Sequence, residues 1–263
     1  MPTVTTHAPG TFCWPELSTP DPAAAKRFYT ALFGWQFNDT DMGPQGVYTI
    51  FTRDGKDCAA AFKQDAGQVA SGMPPYWASY ISVEDADATA ARVQGLGGKV
   101  LMGPFDAADY GRMAVITDPQ GATFCIWQAK KNIGIHVHGE PNSLGWTQLN
   151  AKDTSVAKTF YTSLIGWKTQ EDLMPGQQDA YTTWLKADGP AGGMMAMPPG
   201  TPAPSSWLPY FSVTSVDDSA RKAASLGAQT FVPPTDIPGT GRFALFADPQ
   251  GASFAIVTFT KPM

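Results

Sequence analysis

The chain contains itself twice, and an internal repeat of this length fixes the domain count before any other property is weighed. Ala25-Lys26-Arg27-Phe28-Tyr29-Thr30-Ala31-Leu32-Phe33-Gly34-Trp35 returns as Ala157-Lys158-Thr159-Phe160-Tyr161-Thr162-Ser163-Leu164-Ile165-Gly166-Trp167, a shift of 160 − 28 = 132 residues. Further on, Trp77-Ala78-Ser79-Tyr80 matches Trp207-Leu208-Pro209-Tyr210, and Asp118-Pro119-Gln120-Gly121-Ala122 matches Asp248-Pro249-Gln250-Gly251-Ala252, both shifted by 248 − 118 = 130. What both copies keep is what the architecture requires. Where they differ is the better place to look for function.

A chain of 263 residues with 43% hydrophobic and 12% aromatic content can bury a sizeable core, and two domains of about 130 residues each fit the usual domain size. The formal net charge of −5 and the lack of any Lys/Arg run argue against nucleic acid or an anionic membrane as partner and point to a small-molecule ligand. No stretch is apolar for the roughly 18 residues that a spanning helix needs, and Met1 to His7 lack the pattern of a leader. A cytoplasmic protein, monomeric or homodimeric, is the expectation. Cys13, Cys58 and Cys125 are an odd number without CxxC spacing and read as free thiols.

Each copy divides into two half-repeats of one grammar. In the first, the strand around Phe12 to Ser18 leads to Asp21-Pro22, a helix cap followed by proline in the first position, and Phe28, Tyr29 and Leu32 make one apolar stripe before Gly34. Val47 to Thr52 and Cys58 to Phe62 are strands around an Asp54-Gly55 turn. In the second, Trp77 to Val83 is a strand, Asp85 caps a helix that stops at Gly97-Gly98, and strands follow near residues 99–102, 113–117 and 122–128. The order is βαβββ, four times over, in the α+β class. The domains span residues 11–129 and 143–259 and are joined by the linker 130–142, in which His136 and His138 read as solvated.

A βαβββ unit with a helix of the form Asp-x(6)-Phe-Tyr-x(2)-Leu-x-Gly-Trp and a closing Asp-Pro-x-Gly strand resembles the vicinal oxygen chelate superfamily. That superfamily includes glyoxalase I, extradiol dioxygenases and the bleomycin and fosfomycin resistance proteins. The chain is most similar to its two-domain glyoxalase-like members, often labelled hydroxylases without a defined reaction. The resemblance implies that paired half-repeats enclose a cavity with metal ligands on the first and last strands. The corresponding places hold Trp14, Ala78 and Cys125 in one copy and Trp146, Leu208 and Ala255 in the other. None is a usual ligand for zinc, iron or nickel held by imidazole and carboxylate, so neither a metal nor another cofactor is expected.

Alternation along the strands then says what lines the cavities. Trp14, Glu16 and Ser18 share a face, with Leu17 turned to the helix. Ala78, Tyr80, Ser82, Cys125 and Trp127 join them, and the second copy offers Trp146, Gln148, Asn150, Leu208, Tyr210, Ser212, Ala255 and Val257. The retained Trp14/Trp146 and Tyr80/Tyr210 pairs either bind a ligand or fill a space that binds nothing. Arg112 and Arg242, each after a glycine, either recognise a ligand anion or satisfy loop carbonyls. Glu16 faces Gln148 in the repeat, so the fold does not need its charge. A carboxyl in an apolar pocket has a raised pKa and suits general acid/base work. Two functions therefore stay open. One is metal-independent binding of a small aromatic or carbonyl-containing metabolite between Trp and Tyr faces. The other is a lyase, isomerase or hydroxylase-like enzyme with Glu16 as acid/base.

Overall fold

The computed structural model describes residues 3–173 and 179–261. The first copy runs β1 (Phe12–Thr19), α1 (Pro22–Phe33), β2 (Gln36–Asp41), β3 (Val47–Arg53), β4 (Lys56–Lys63), α2 (Ala66–Ala70), β5 (Tyr76–Ser82), α3 (Ala86–Val93), β6 (Lys99–Ala107), β7 (Gly111–Thr117) and β8 (Thr123–Ala129). The second runs β9 (Leu144–Ala151), α4 (Thr154–Ile165), β10 (Lys168–Asp172), β11 (Tyr181–Lys186), β12 (Gly189–Ala196), β13 (Ser206–Ser212), α5 (Val216–Ser225), β14 (Gln229–Ile237), β15 (Gly241–Ala247) and β16 (Ser253–Phe259). Each copy makes one eight-stranded sheet, in the orders β2-β3-β4-β1-β5-β8-β7-β6 and β10-β11-β12-β9-β13-β16-β15-β14. Within the first, β1 is parallel to β4 and antiparallel to β5, so the half-repeats join edge to edge through the β1–β5 pair. No helix among the described residues is long and apolar enough to cross a membrane.

The local chemistry read from the sequence builds these elements. The Asp21 side chain accepts from Ala24 N, Pro22 opens α1, and Gly34 closes it at φ 73°, a left-handed conformation that a Cβ disfavours. Asp153 and Asp85 cap α4 and α3 in the same way. The stripe Phe28, Tyr29, Leu32 is buried as expected.

What the stripe packs on is the other domain. The helix-bearing faces of the two sheets meet, with the helices between them: Phe28 lies 5.9 Å from Phe254 and Phe33 5.2 Å from Phe211, while Phe124 lies 5.5 Å from Tyr161. The repeated motifs close this seam reciprocally. Trp77 Nε1 donates to Tyr29 Oη at 3.0 Å, and Tyr29 Oη donates to Asp248 Oδ2 at 2.9 Å. In the mirror arrangement Trp207 Nε1 donates to Tyr161 Oη at 2.9 Å, and Tyr161 Oη to Asp118 Oδ2 at 3.2 Å. The other oxygen of Asp118 accepts from Gln120 N and Ala122 N, and that of Asp248 from Gln250 N, Gly251 N and Ala252 N. Phe-Tyr, Trp and Asp-Pro-Gln-Gly recur because one domain's helix is held by the other domain's turn. Trp35 and Trp167, both 3% exposed, lie one in each of the two core clusters of the seam.

The linker differs from expectation. Ile135 and Val137 are buried in the two cores, and the His7 ring bonds the Ile135 carbonyl at 2.8 Å. His138 is half-buried beside them, and loss of hydration pushes its pKa down to about 4. The apolar residues that alternate with His136 and His138 pull the segment into the seam, so His138 is not a solvated linker residue.

Candidate functional site

The face of the first sheet without helices carries the candidate site. Leu17 sits in the helix-side core, which turns Trp14, Glu16 and Ser18 the other way. Glu16 lies in register between Ala60 of β4 and Ala78 of β5, two small neighbours. Although no helix covers this face, Glu16 is only 8% exposed, so the sheet must curl to bring β3 over β1. Tyr48 of β3 donates from Oη to Glu16 Oε1 at 2.6 Å. Tyr80 of β5 donates from Oη to Oε2 at 2.6 Å, and Trp14 Nε1 donates to Tyr48 Oη at 3.3 Å.

Burial pushes the Glu16 pKa up, and hydrogen bonds from Tyr48, Tyr80 and Trp14 pull against that shift. The phenols of Tyr48 and Tyr80 are held well above their ordinary range by burial and by the Glu16 charge, so they stay protonated and act as donors. No Lys, Arg or His pairs with Glu16 among the described residues.

Cys125, in register with Tyr80, and Trp127 form the adjacent wall. Burial raises the Cys125 thiol pKa, which keeps it a thiol rather than a nucleophilic thiolate. The Trp127 ring stands edge-on to Tyr80, with centroids 6.3 Å apart. Its indole lies against Gly111, where a Cβ would come within 2.2 Å of the ring, and its Nε1 donates to Asn132 O. Only glycine at 111 admits the indole there. Ser18 is buried at the end of the row opposite Tyr76, and Tyr76, Met113 and Val115 are half-buried at the rim.

The second domain builds the same frame from neutral groups. Trp146 Nε1 donates to Tyr181 Oη at 2.8 Å, and Gln148 Nε2 donates to Asn150 Oδ1 at 3.0 Å. Gln148 lies in register with Gly193 and Leu208, and Tyr210 with Ala255. The Tyr181 phenol lies over Gly193, where the Cβ that Ala60 carries in the first domain would meet it at 1.9 Å. Tyr181 therefore rests on the strand, whereas Tyr48 reaches Glu16. Leu208, Val257, Phe243 and Leu245 complete an apolar wall.

Two predicted ligand groups lie elsewhere. Arg112 shares strand parity with Ala114 and Ile116, which face the helix core, and its guanidinium binds Asp87 at 2.6 and 2.8 Å and Asp106 at 3.3 Å. Arg242 repeats this with Asp217 and Asp236. Both arginines therefore sit on the helix-bearing side of the sheet and bind carboxylates rather than loop carbonyls alone. Conversely, Tyr48 and Tyr181 did not emerge from strand parity. A Tyr-Thr pair recurring at 48–49 and 181–182 was the signal that could have found them.

A sequence profile described as the Glyoxalase/Bleomycin resistance protein/Dioxygenase superfamily matches residues 11–126 and 143–256. The chain belongs to that superfamily. It is 40% identical over 259 residues to a Mycobacterium tuberculosis protein with the provisional name glyoxylase CFP32, covering 98% of each chain. It is 36% identical over 264 residues to the anthracycline biosynthesis protein DauV of Streptomyces sp. strain C5, covering 97% of this chain and 95% of the relative. Among solved structures, the Mn(II)-bound glyoxalase of Novosphingobium aromaticivorans superposes with a TM-score of 0.65 at 18% identity, over 96% of this chain and 83% of that one, which shows the shared fold.

The residues present do not fit a divalent metal such as the Mn(II) of the Novosphingobium glyoxalase. The expected ligand places carry Trp14, Ala78, Cys125, Trp146, Leu208 and Ala255, and no group of three or more His, Cys, Asp or Glu side chains converges among the described residues.

Proposed function

We propose that the first domain binds a small, flat, conjugated or carbonyl-bearing metabolite on its helix-free face, without a resident metal. The observation that carries this reading is the Trp14–Tyr48–Glu16–Tyr80 network, a buried polar anchor set among aromatic side chains, the composition usual in small-molecule sites. The compound class in the name of the Streptomyces relative, anthracycline, is a fused-ring aromatic and has the shape this reading asks for. The second domain offers a related but neutral frame through Trp146, Gln148, Asn150 and Tyr210.

Intrinsic fluorescence tests the binding. Flat conjugated compounds are expected to quench it at lower concentration than sugars, since stacking on an indole contributes roughly 0.5–1.5 kcal/mol beyond area burial. Quenching that survives replacement of both Trp14 and Trp146 would place the ligand elsewhere. Elemental analysis is the companion measurement, expected to find no stoichiometric zinc, nickel, iron or manganese. One tightly held ion per chain would overturn the metal-independent part of the reading.

A second reading draws on the same network. A desolvated carboxyl with a raised pKa, held by two phenols, is suited to take and return a proton, and Glu16 would then be a general acid/base in an isomerase, lyase or hydroxylase-like reaction.

A further inference from the structure

The first domain holds a buried carboxylate for which the protein supplies no positive partner. Three carboxylates of the described residues are buried, Glu16, Asp118 and Asp248. Asp118 and Asp248 each accept from backbone N–H groups of their own turn, so their charge is met by the fold. The half-exposed and exposed acids Asp39, Asp87 and Asp217 pair with Lys26, Arg112 and Arg242. Glu16 receives the phenols of Tyr48 and Tyr80, with the Trp14 indole beside them, and all three are neutral groups. The repeat shows that the fold tolerates a neutral amide there, because Gln148 occupies the same place between β12 and β13. A buried charge retained without a partner is costly unless something pairs with it.

We infer that the missing partner comes with the ligand: the first-domain site takes a protonated amine carried on or beside a flat conjugated ring system, with Glu16 as its counter-ion. This rests on the binding reading given above and names its ligand class. Each carboxylate oxygen has two acceptor directions and gives one to a phenol, which leaves acceptor capacity for the N–H groups of an ammonium. Trp14, Tyr80 and Trp127 belong to one core cluster with Tyr48 packed against it, so a conjugated cation held at the carboxylate lies among aromatic side chains, whose faces attract a cation through the ring quadrupole. An anionic ligand meets only repulsion from the carboxylate. In the second domain Gln148 and Asn150 provide amide groups and no charge, so that site lacks a counter-ion for a cation. The two domains thus keep one frame but differ in electrical character.

The test is a fluorescence titration of the full chain with three flat probes of similar size: 9-aminoacridine, a cation at neutral pH, acridone, which is neutral, and 9-anthracenecarboxylate, an anion. The cation is expected to bind at least about tenfold more tightly than acridone, and the anion more weakly than either. Glu16→Gln is expected to keep acridone binding and lose the preference for the cation. Gln148→Glu, which copies the charge into the second domain, is expected to add a second cation site. Equal affinity of the wild type for cation and acridone overturns the inference while leaving the flat-ligand reading standing, as does a cation preference that persists in folded Glu16→Gln. Binding of none of the three overturns both. Should Glu16→Gln fail to fold by circular dichroism, the wild-type ranking and Gln148→Glu decide the matter.

Discussion

Replacing Tyr29 by alanine is expected to lower the unfolding free energy by about 3–5 kcal/mol, as large aromatic truncations in a closed core do. Tyr29 is fully buried, with ring centroids 4.9 Å from Phe28, 5.2 Å from Trp77 and 5.7 Å from Phe254, so the residual cavity would open in the seam between the domains. Its hydroxyl also links Trp77 Nε1 to Asp248 Oδ2, and losing it leaves a buried donor and a carboxylate oxygen without a partner. Tyr29→Phe isolates that second effect and should cost about 1–3 kcal/mol. The reciprocal position predicts matching values for Tyr161→Ala and Tyr161→Phe, because Trp207 and Asp118 play the same parts there. Urea denaturation followed by far-UV circular dichroism gives the numbers. A Tyr29→Ala protein within about 1 kcal/mol of wild type would mean that the helices do not bridge the domains as described.

The seam explains which parts of the fold were legible in the sequence. Caps at Asp21, Asp85 and Asp153, the Gly34 and Gly166 stops and the Asp118 turn are local, and each lies where its residues indicate. The edge strand β2 gave no signal because Gln36-Phe37-Asn38-Asp39-Thr40-Asp41 is exposed throughout and lacks the apolar alternation that a half-buried strand shows. Helix α2 buries no residue and so offered no apolar stripe to read; the Asp65/Gln68 capping box starts it. Parity placed Trp14, Glu16, Tyr80 and Trp127 together, since alternation is fixed by the pleat. The same count places Arg112 with Ala114 and Ile116 on the helix side, which the adjacency to Gly111 obscured. Tyr48 was out of reach of that argument, because its contact with Glu16 spans β4 and depends on the curl of the sheet. The strongest motifs of the repeat turned out to hold the domains together. The two candidate sites differ at quieter positions, Glu16 against Gln148, Ala60 against Gly193 and Cys125 against Ala255.

Glu16→Gln is expected to have the largest functional effect and a stability signature of definite sign. The native carboxyl has a pKa above its ordinary value of 4.5, burial being the dominant cause, so the folded state holds this proton more tightly than the unfolded chain. Between the unfolded and the native pKa the folded state therefore carries more bound proton, and unfolding free energy falls as pH rises. Below the unfolded value the carboxyl is neutral in both states and costs nothing; above the native value the full penalty of the buried charge is present. Glutamine removes this dependence, and its amide can still meet Tyr48 and Tyr80, since a phenol oxygen accepts as well as donates. The expected result is that the stability of Glu16→Gln relative to wild type rises through the pH range above the unfolded carboxyl value of 4.5 and is smallest at the acid end. Thermal or urea unfolding of both proteins across that range measures it. A difference that stays flat with pH would show that Glu16 is not desolvated in solution. Where a reaction is found, the same substitution lowers turnover by about 10²-fold or more if Glu16 moves the proton. Unchanged turnover with the pH-dependent stability intact would instead assign the buried carboxylate to holding the ligand, because the charge would then be present and desolvated yet take no part in bond making.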